Sequence, residues 1–245
     1  MNIVAIGGGS VGTGETASID QELIHLTGKR GPRGLFIPTA SDDSSDYVDQ
    51  VRFGYSLLGC SIDSLLLWSS DNAISAARKI AESDLIYVGG GNTKKMLELW
   101  LELGIEKMLK RHLDAGKPVG GLSAGALCWF NVCNSDWPQY EGIPDLKTAP
   151  LQCLKFVNLS LCPHASRETF RLGDYREMMR DVPGPGLALD DCCAVQIRDN
   201  EYRILGSMPG AVAHLIQWKD GILHEKTLSP WTEFRPLEAL NLAAG

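Results

Sequence analysis

The segment Gly121-Leu122-Ser123-Ala124-Gly125 reads G-x-S-x-G, a spacing that can present a serine hydroxyl on a tight turn as a nucleophile. Chance alone supplies about 0.2 such matches in a chain of this length and glycine content, so the neighbouring residues must decide. Pro118-Val119-Gly120 before it is strand-like, and Ala126-Leu127-Cys128-Trp129-Phe130 after it can open a helix. Ser123 is therefore expected at a strand-to-helix turn. Gly121, Ala124 and Gly125 leave room for the sharp bend, and a helix N-terminus behind the serine favours negative charge near its oxygen. The plainer alternative is a βα turn whose serine merely caps the helix.

A second turn of this kind lies at Tyr87-Val88-Gly89-Gly90-Gly91-Asn92-Thr93, where three glycines let the backbone approach a ligand and point amides at an anion. In a parallel sheet both turns emerge at the carboxyl edge of the strands, where ligands bind. A serine nucleophile needs a base, and His164 follows the apolar run ending at Cys162-Pro163. His25 and His112 fall in helical patterns, His214 in a strand and His224 in a hairpin, places that suit structural or solvated imidazoles. For a third, acidic member the sequence leaves three residues open: Asp190 and Asp191 after the run Leu187–Leu189, and Asp136 in the segment after the serine.

Gly7-Gly8-Gly9-Ser10-Val11-Gly12 is formally G-x-G-x-x-G after a first strand, which raises a dinucleotide-binding alternative. Against it, the helix start signal is the pair Ser18 and Gln21, a capping box well beyond the glycines. The second strand also ends in Pro38-Thr39 with no acid at its tip. A catalytically silent binding module on the same framework is a third class.

The elements that must position these residues are short aliphatic runs alternating with helical patterns. Ile3–Ile6, Leu35–Pro38, Ile62–Leu67, Leu85–Val88 and Val119–Leu122 read as buried strands. Helices are expected at 46–58, at 72–81, and from Asn92 onward with a break at Gly104. The alternation predicts an α/β, flavodoxin-like fold: a mostly parallel sheet covered by helices on both faces. Beyond residue 150 the runs at 156–162, 187–189, 193–197, 202–205, 211–217 and 222–228 predict an antiparallel C-terminal extension of that sheet, with turns at Asp199-Asn200 and Asp220-Gly221. Asn131–Thr148 reads as an irregular loop bordering the site. With no linker or repeat, 1–245 is expected to be a single domain.

The chain of 245 residues carries 23 Lys and Arg against 30 Asp and Glu, a formal charge of −7. Its basic residues are scattered, so no nucleic-acid partner is expected. No apolar run reaches 18 residues and no basic residue precedes Lys29, so neither a membrane span nor a secretory leader is expected, and the protein is read as cytoplasmic. Seven cysteines, none spaced C-x-x-C, argue against a disulfide framework or zinc ribbon, and the histidines lack ligand spacing. No metal or cofactor is expected; a homodimer is allowed.

Taken together, G-x-S-A-G-A at 121–126, V-G-G-G-N-T at 88–93, N-x-D-x-P at 134–138 and P-H at 163–164 resemble the peptidase E and cyanophycinase family of serine peptidases. The resemblance implies a fold like class I glutamine amidotransferases and hydrolysis of short acidic peptides through an acyl-enzyme. By position it implies Ser123 as nucleophile, His164 as base, and the amides of Gly91 and Ala124 as oxyanion donors. In cyanophycinase-like members a G-I-G-I-D-E stretch supplies the acid, which here places Asp191; in peptidase E the aspartate of N-x-D-x-P has that role, which would be Asp136. Asp191 is preferred because a carboxylate at a strand end is held more rigidly than one on a loop. A peptide carboxylate would want an arginine, and Arg167 and Arg171 follow His164 closely. Arg171, Asp136 and Asn92 are the expected substrate-binding residues, and a cyanophycinase-like action on β-linked Asp-Arg peptides is the alternative specificity.

Overall fold

The aliphatic runs of the first half become strands, buried along nearly their whole length except at the edge of the sheet, where 61–64 alternates exposed and buried. In the computed structural model, which describes residues 1–241, β1 (Asn2–Ile6), β2 (Arg33–Ile37), β3 (Ser61–Ser64), β4 (Leu85–Val88) and β5 (Val119–Leu122) pair in parallel. Their spatial order is β3-β2-β4-β5-β1. This is the 2-1-3-4-5 order of flavodoxin-type sheets with the chain's first strand taking the last place.

The connecting helices are α1 (Ala17–His25), α2 (Ser45–Leu57), α3 (Ala73–Glu82), α4 (Thr93–Leu103) and α5 (Ile105–Asp114). Ile19, Leu23, Val51 and Tyr55 of α1 and α2 pack with Val4, Phe36 and Tyr87 on one face of the sheet. Ile80, Met96, Trp100 and Leu109 of α3 to α5 pack with Leu35, Ile86 and Val119 on the other. Trp100, fully buried, donates its indole N–H to Thr39 Oγ1 at 3.2 Å, which satisfies the polar end of an otherwise apolar side chain. Gly104 separates α4 from α5 with φ 70°, a left-handed turn that glycine adopts without strain. The expected box at Ser18 and Gln21 is absent. The helix begins two residues earlier, after Thr16, whose hydroxyl bonds to the buried Asp20 at 2.7 Å instead.

The second half departs from the expected single sheet. Short α6 (Ala124–Leu127) follows β5, and the segment expected to be irregular contains β6 (Val132–Ser135) and the one-turn α7 (Trp137–Tyr140). Then come β7 (Ala149–Gln152), β8 (Ser160–Cys162), α8 (Arg171–Met178), β9 (Gly186–Leu189), β10 (Cys193–Arg198), β11 (Glu201–Gly206), β12 (Ala213–Lys219), β13 (Ile222–Leu228) and β14 (Arg235–Pro236). Only β10, β11 and β14 extend the first sheet, antiparallel beside β1. The other six form a separate sheet in the order β13-β12-β9-β8-β6-β7. Leu161, Leu187 and Leu215 of this second sheet share one core cluster with Ile3 and Val195 of the first, which explains why both read as buried runs. The chain switches sheets within Asp190-Asp191-Cys192, between β9 and β10. The expected strand at 156–162 shrinks to 160–162. Among the described residues no helix is long and apolar enough to cross a membrane.

Candidate active site

Five chain segments meet where β1, β4, β5, β8 and β9 end. Ser123 follows β5 with φ 54° and ψ −114°, outside the regions an L-residue favours, and the strain is held by the amides around it. Its own N–H donates to Ile6 O at 3.0 Å, while Ala126 and Leu127 donate to its carbonyl at 2.8 and 2.9 Å. A β-carbon at Gly121 would overlap Gly125 O, and one at Gly125 would overlap Val88 O, so the sharp turn admits only glycine at both places.

His164 leaves β8 in a left-handed conformation, φ 55°, with its N–H bonded to Gly7 O at 3.1 Å. That places the imidazole over the serine: Nε2 lies 2.9 Å from Ser123 Oγ and Nδ1 lies 2.7 Å from Asp191 Oδ1. Asp191 is the second residue beyond the end of β9, and its backbone N–H is 3.3 Å from Ser166 Oγ. Burial raises the Asp191 carboxyl pKa, but the His164 hydrogen bond and the charges of His164 and Arg167 outweigh it and hold the group below the usual aspartate range. Asp190 turns the other way. Its Oδ2 accepts the Val212 N–H at 3.1 Å and its Oδ1 stands 3.5 Å from His214 Nε2.

The three glycines after β4 have three separate jobs. A β-carbon at Gly89 would press on Tyr47 Cε1 at 2.8 Å, one at Gly90 would come within 3.3 Å of Ser123 Cβ, and one at Gly91 would overlap Ala40 O. Gly91 also has φ 135°, open only to glycine. Neither Gly91 N–H nor Ala124 N–H has a hydrogen-bond partner among the described residues.

Gly7, Gly8 and Gly9 do not lead into a helix as a dinucleotide fingerprint requires. A β-carbon at Gly7 would overlap Asp190 O, and one at Gly8 would overlap Asp191 Oδ1 and His164 Nδ1. The close approach that these glycines allow is to the chain's own His164 and Asp191, which fill the space a pyrophosphate would need. The sequence pattern suggested the right property, backbone proximity, but the wrong neighbour.

Three expected substrate residues sit differently. Arg171 is wholly buried at the start of α8, its Nη2 2.7 Å from Glu168 Oε2 and 3.5 Å from Asp136 Oδ2, so the expected open guanidinium is instead a closed ion cluster. Asp136 stands in that cluster and not beside His164. Asn92 caps α4, its side-chain oxygen accepting the Lys95 N–H at 3.1 Å. The exposed arginine at the site is Arg167, 70% accessible and 3.8 Å from Asp191 Oδ2.

A mixed α/β framework brings a strained serine against a histidine and an aspartate, an arrangement suited to hydrolysis. The family comparison agrees: the model of Peptidase family S51 matches residues 3–205, and the chain belongs to that family of serine-type peptidases. It is similar to the uncharacterized peptidase YgaJ of Bacillus subtilis (strain 168), with 34% identity over 220 residues that cover 87% of this chain and 91% of YgaJ. Peptidase E of Shewanella denitrificans is 25% identical over 203 residues, covering 79% of this chain and 83% of that one. In fold it is similar to the crystal structure of a peptidase from an acI-B1 Actinobacterium, with a TM-score of 0.75, 17% identity and 96% of each chain covered.

Proposed function

We propose that the chain hydrolyses short peptides through an acyl-enzyme formed on Ser123. The observation that carries this reading is the unbroken line of two hydrogen bonds, Ser123 Oγ to His164 Nε2 and His164 Nδ1 to Asp191. His164 takes the hydroxyl proton as Ser123 attacks the scissile carbonyl, and Asp191 fixes the imidazole and stabilises its cation. The tetrahedral oxyanion rests on the free amides of Gly91 and Ala124. His164 then gives the proton to the leaving amine, and water attacks the ester by the same route in reverse. Asp191 is one methylene shorter than a glutamate. The left-handed turn at Cys192, φ 62°, and the side-chain-free Gly8 support its close approach to the imidazole.

Peptides with an acidic residue are the substrates we favour over β-linked Asp-Arg, because Arg167 is the accessible guanidinium beside the Asp191–His164 pair and can grip a carboxylate with two hydrogen bonds. The core shared between the two sheets supports treating 1–245 as one unit. A fluorophosphonate should label wild type and not Ser123→Ala; equal labelling of both removes the reading. A screen of Asp-Xaa, neutral and β-Asp-Arg dipeptides then separates the specificities.

A further inference from the structure

The turn Gly89-Gly90-Gly91 has no side chain to restrict its rotation, and glycine loses more conformational freedom on ordering than any other residue. Its amides are nonetheless tied one by one. Gly89 N–H donates to Ile37 O at 3.1 Å, Gly90 N–H to the Tyr47 hydroxyl at 3.3 Å, and Asn92 N–H to Ala40 O at 2.7 Å. Gly91 N–H alone is left over. Of the three acceptors only Tyr47 is a side chain, and it holds the amide directly preceding the free one.

Tyr47 reaches this place from the first turn of α2, and its ring is fixed from below. It meets Phe36 edge-on at 5.1 Å; Phe36 lies 6.0 Å from Tyr87, and Tyr87 5.2 Å from Tyr55, whose hydroxyl donates to Asp20 Oδ1 at 3.1 Å. Gly89, lacking a β-carbon, lets the ring slide under the turn. Burial raises the pKa of the Tyr47 hydroxyl, so the group stays protonated and presents a neutral lone pair to Gly90.

We propose that Tyr47 is a positioning residue for the Gly91 amide: by accepting the Gly90 N–H, its hydroxyl anchors the Gly89–Gly90 peptide and, with Ala40 O holding the Asn92 N–H on the other side, limits the rotation of the Gly90–Gly91 peptide between them, which carries the free N–H. This rests on the reading that Gly91 donates to the oxyanion. Released, the peptide would rotate among the many conformers that two glycines share, and the donor would be correctly placed only part of the time.

The test is Tyr47→Phe, which removes one oxygen and keeps the ring packing. The rate of Ser123 phosphonylation by a fluorophosphonate, whose adduct places an oxygen where the oxyanion forms, should fall about tenfold, less than the loss of a whole donor. The melting temperature should shift by less than about 4 °C, the size of one hydrogen bond in a chain of this length. Tyr55→Phe, which removes a hydroxyl from the same ring cluster without touching the turn, should label at the wild-type rate. In wild type, amide hydrogen exchange should find Gly90 protected and Gly91 not. The proposal is overturned if Tyr47→Phe labels like wild type, if Tyr55→Phe is slowed equally, or if the wild-type Gly90 amide exchanges as fast as Gly91. Wild-type protein that labels no better than Ser123→Ala would bring down the serine reading itself, and the proposal with it.

Discussion

Gly8 lies against Asp191 with no room for a β-carbon, which would overlap both Asp191 Oδ1 and His164 Nδ1. The glycine belongs to β1's exit loop, whereas the two side chains leave β8 and β9 of the other sheet. The same loop is stitched to both segments: His164 N–H donates to Gly7 O at 3.1 Å and Cys192 N–H to Gly8 O at 2.9 Å. Gly8→Ala should therefore displace the imidazole or its partner and lower the labelling rate of Ser123 by about 10²-fold. Circular dichroism on the same sample checks that the fold survives; an active Gly8→Ala would mean that the imidazole–carboxylate contact is dispensable.

Asp191→Asn and Asp136→Asn should separate the two expected acids. The first removes the charge that the His164 imidazolium faces and should reduce kcat by about 10³-fold or more, with little change in melting temperature. The second removes a carboxylate 3.5 Å from buried Arg171, so it should weaken the fold by about 1–2 kcal/mol and leave kcat within a few-fold. Paired kinetics and denaturant titrations read both.

Arg171→Ala should act on stability. A wholly buried guanidinium between Glu168 and Asp136 leaves two carboxylates facing each other when it is removed, a loss of about 3–5 kcal/mol. Urea midpoints provide the measurement, and a stable Arg171→Ala with altered peptide preference would return the residue to substrate binding.

Asp20 sets a pH dependence of stability. Burial raises its pKa from 3.8 to about 6, against the lowering effect of the hydrogen bonds from Thr16 and Tyr55. The folded state thus binds the proton more tightly than the unfolded one, and the stability this gives is full below pH 3.8 and lost as pH rises through about 6. At about 1.4 kcal/mol per pH unit between those values, the loss is about 3 kcal/mol. Asp20→Asn, which imitates the protonated acid, should lose this contribution: from pH 4 to 7 its unfolding free energy, read from urea titrations, should fall by about 3 kcal/mol less than that of the wild type.

What the sequence exposed was what local chemistry dictates. Ser123 was legible because its turn needs small residues at fixed offsets, and His164 because a strand ends just before it. The break at Gly104 was readable for the same reason. The division into two sheets was not legible, because β10 and β12 carry similar apolar patterns and only tertiary packing decides which sheet each joins. Arg171 looked like one more charged residue in a polar stretch. Its burial depends on Asp136, thirty-five positions earlier, and no periodicity signals such a pairing. Tyr47 was silent too, since a tyrosine in the first turn of a helix says nothing of the glycine loop it will meet.

The serine stands on one sheet while the imidazole and carboxylate arrive from the other, with Gly7 and Gly8 as the seam between them. On the proposed assignment this makes hydrolysis a property of the finished chain. During synthesis, the segment through residue 124 holds the nucleophile but no base, and the missing partners follow only after residue 191 has emerged and the second sheet has docked. On that assignment a half-made chain carries an ordinary alcohol at the position where the folded protein carries an activated one.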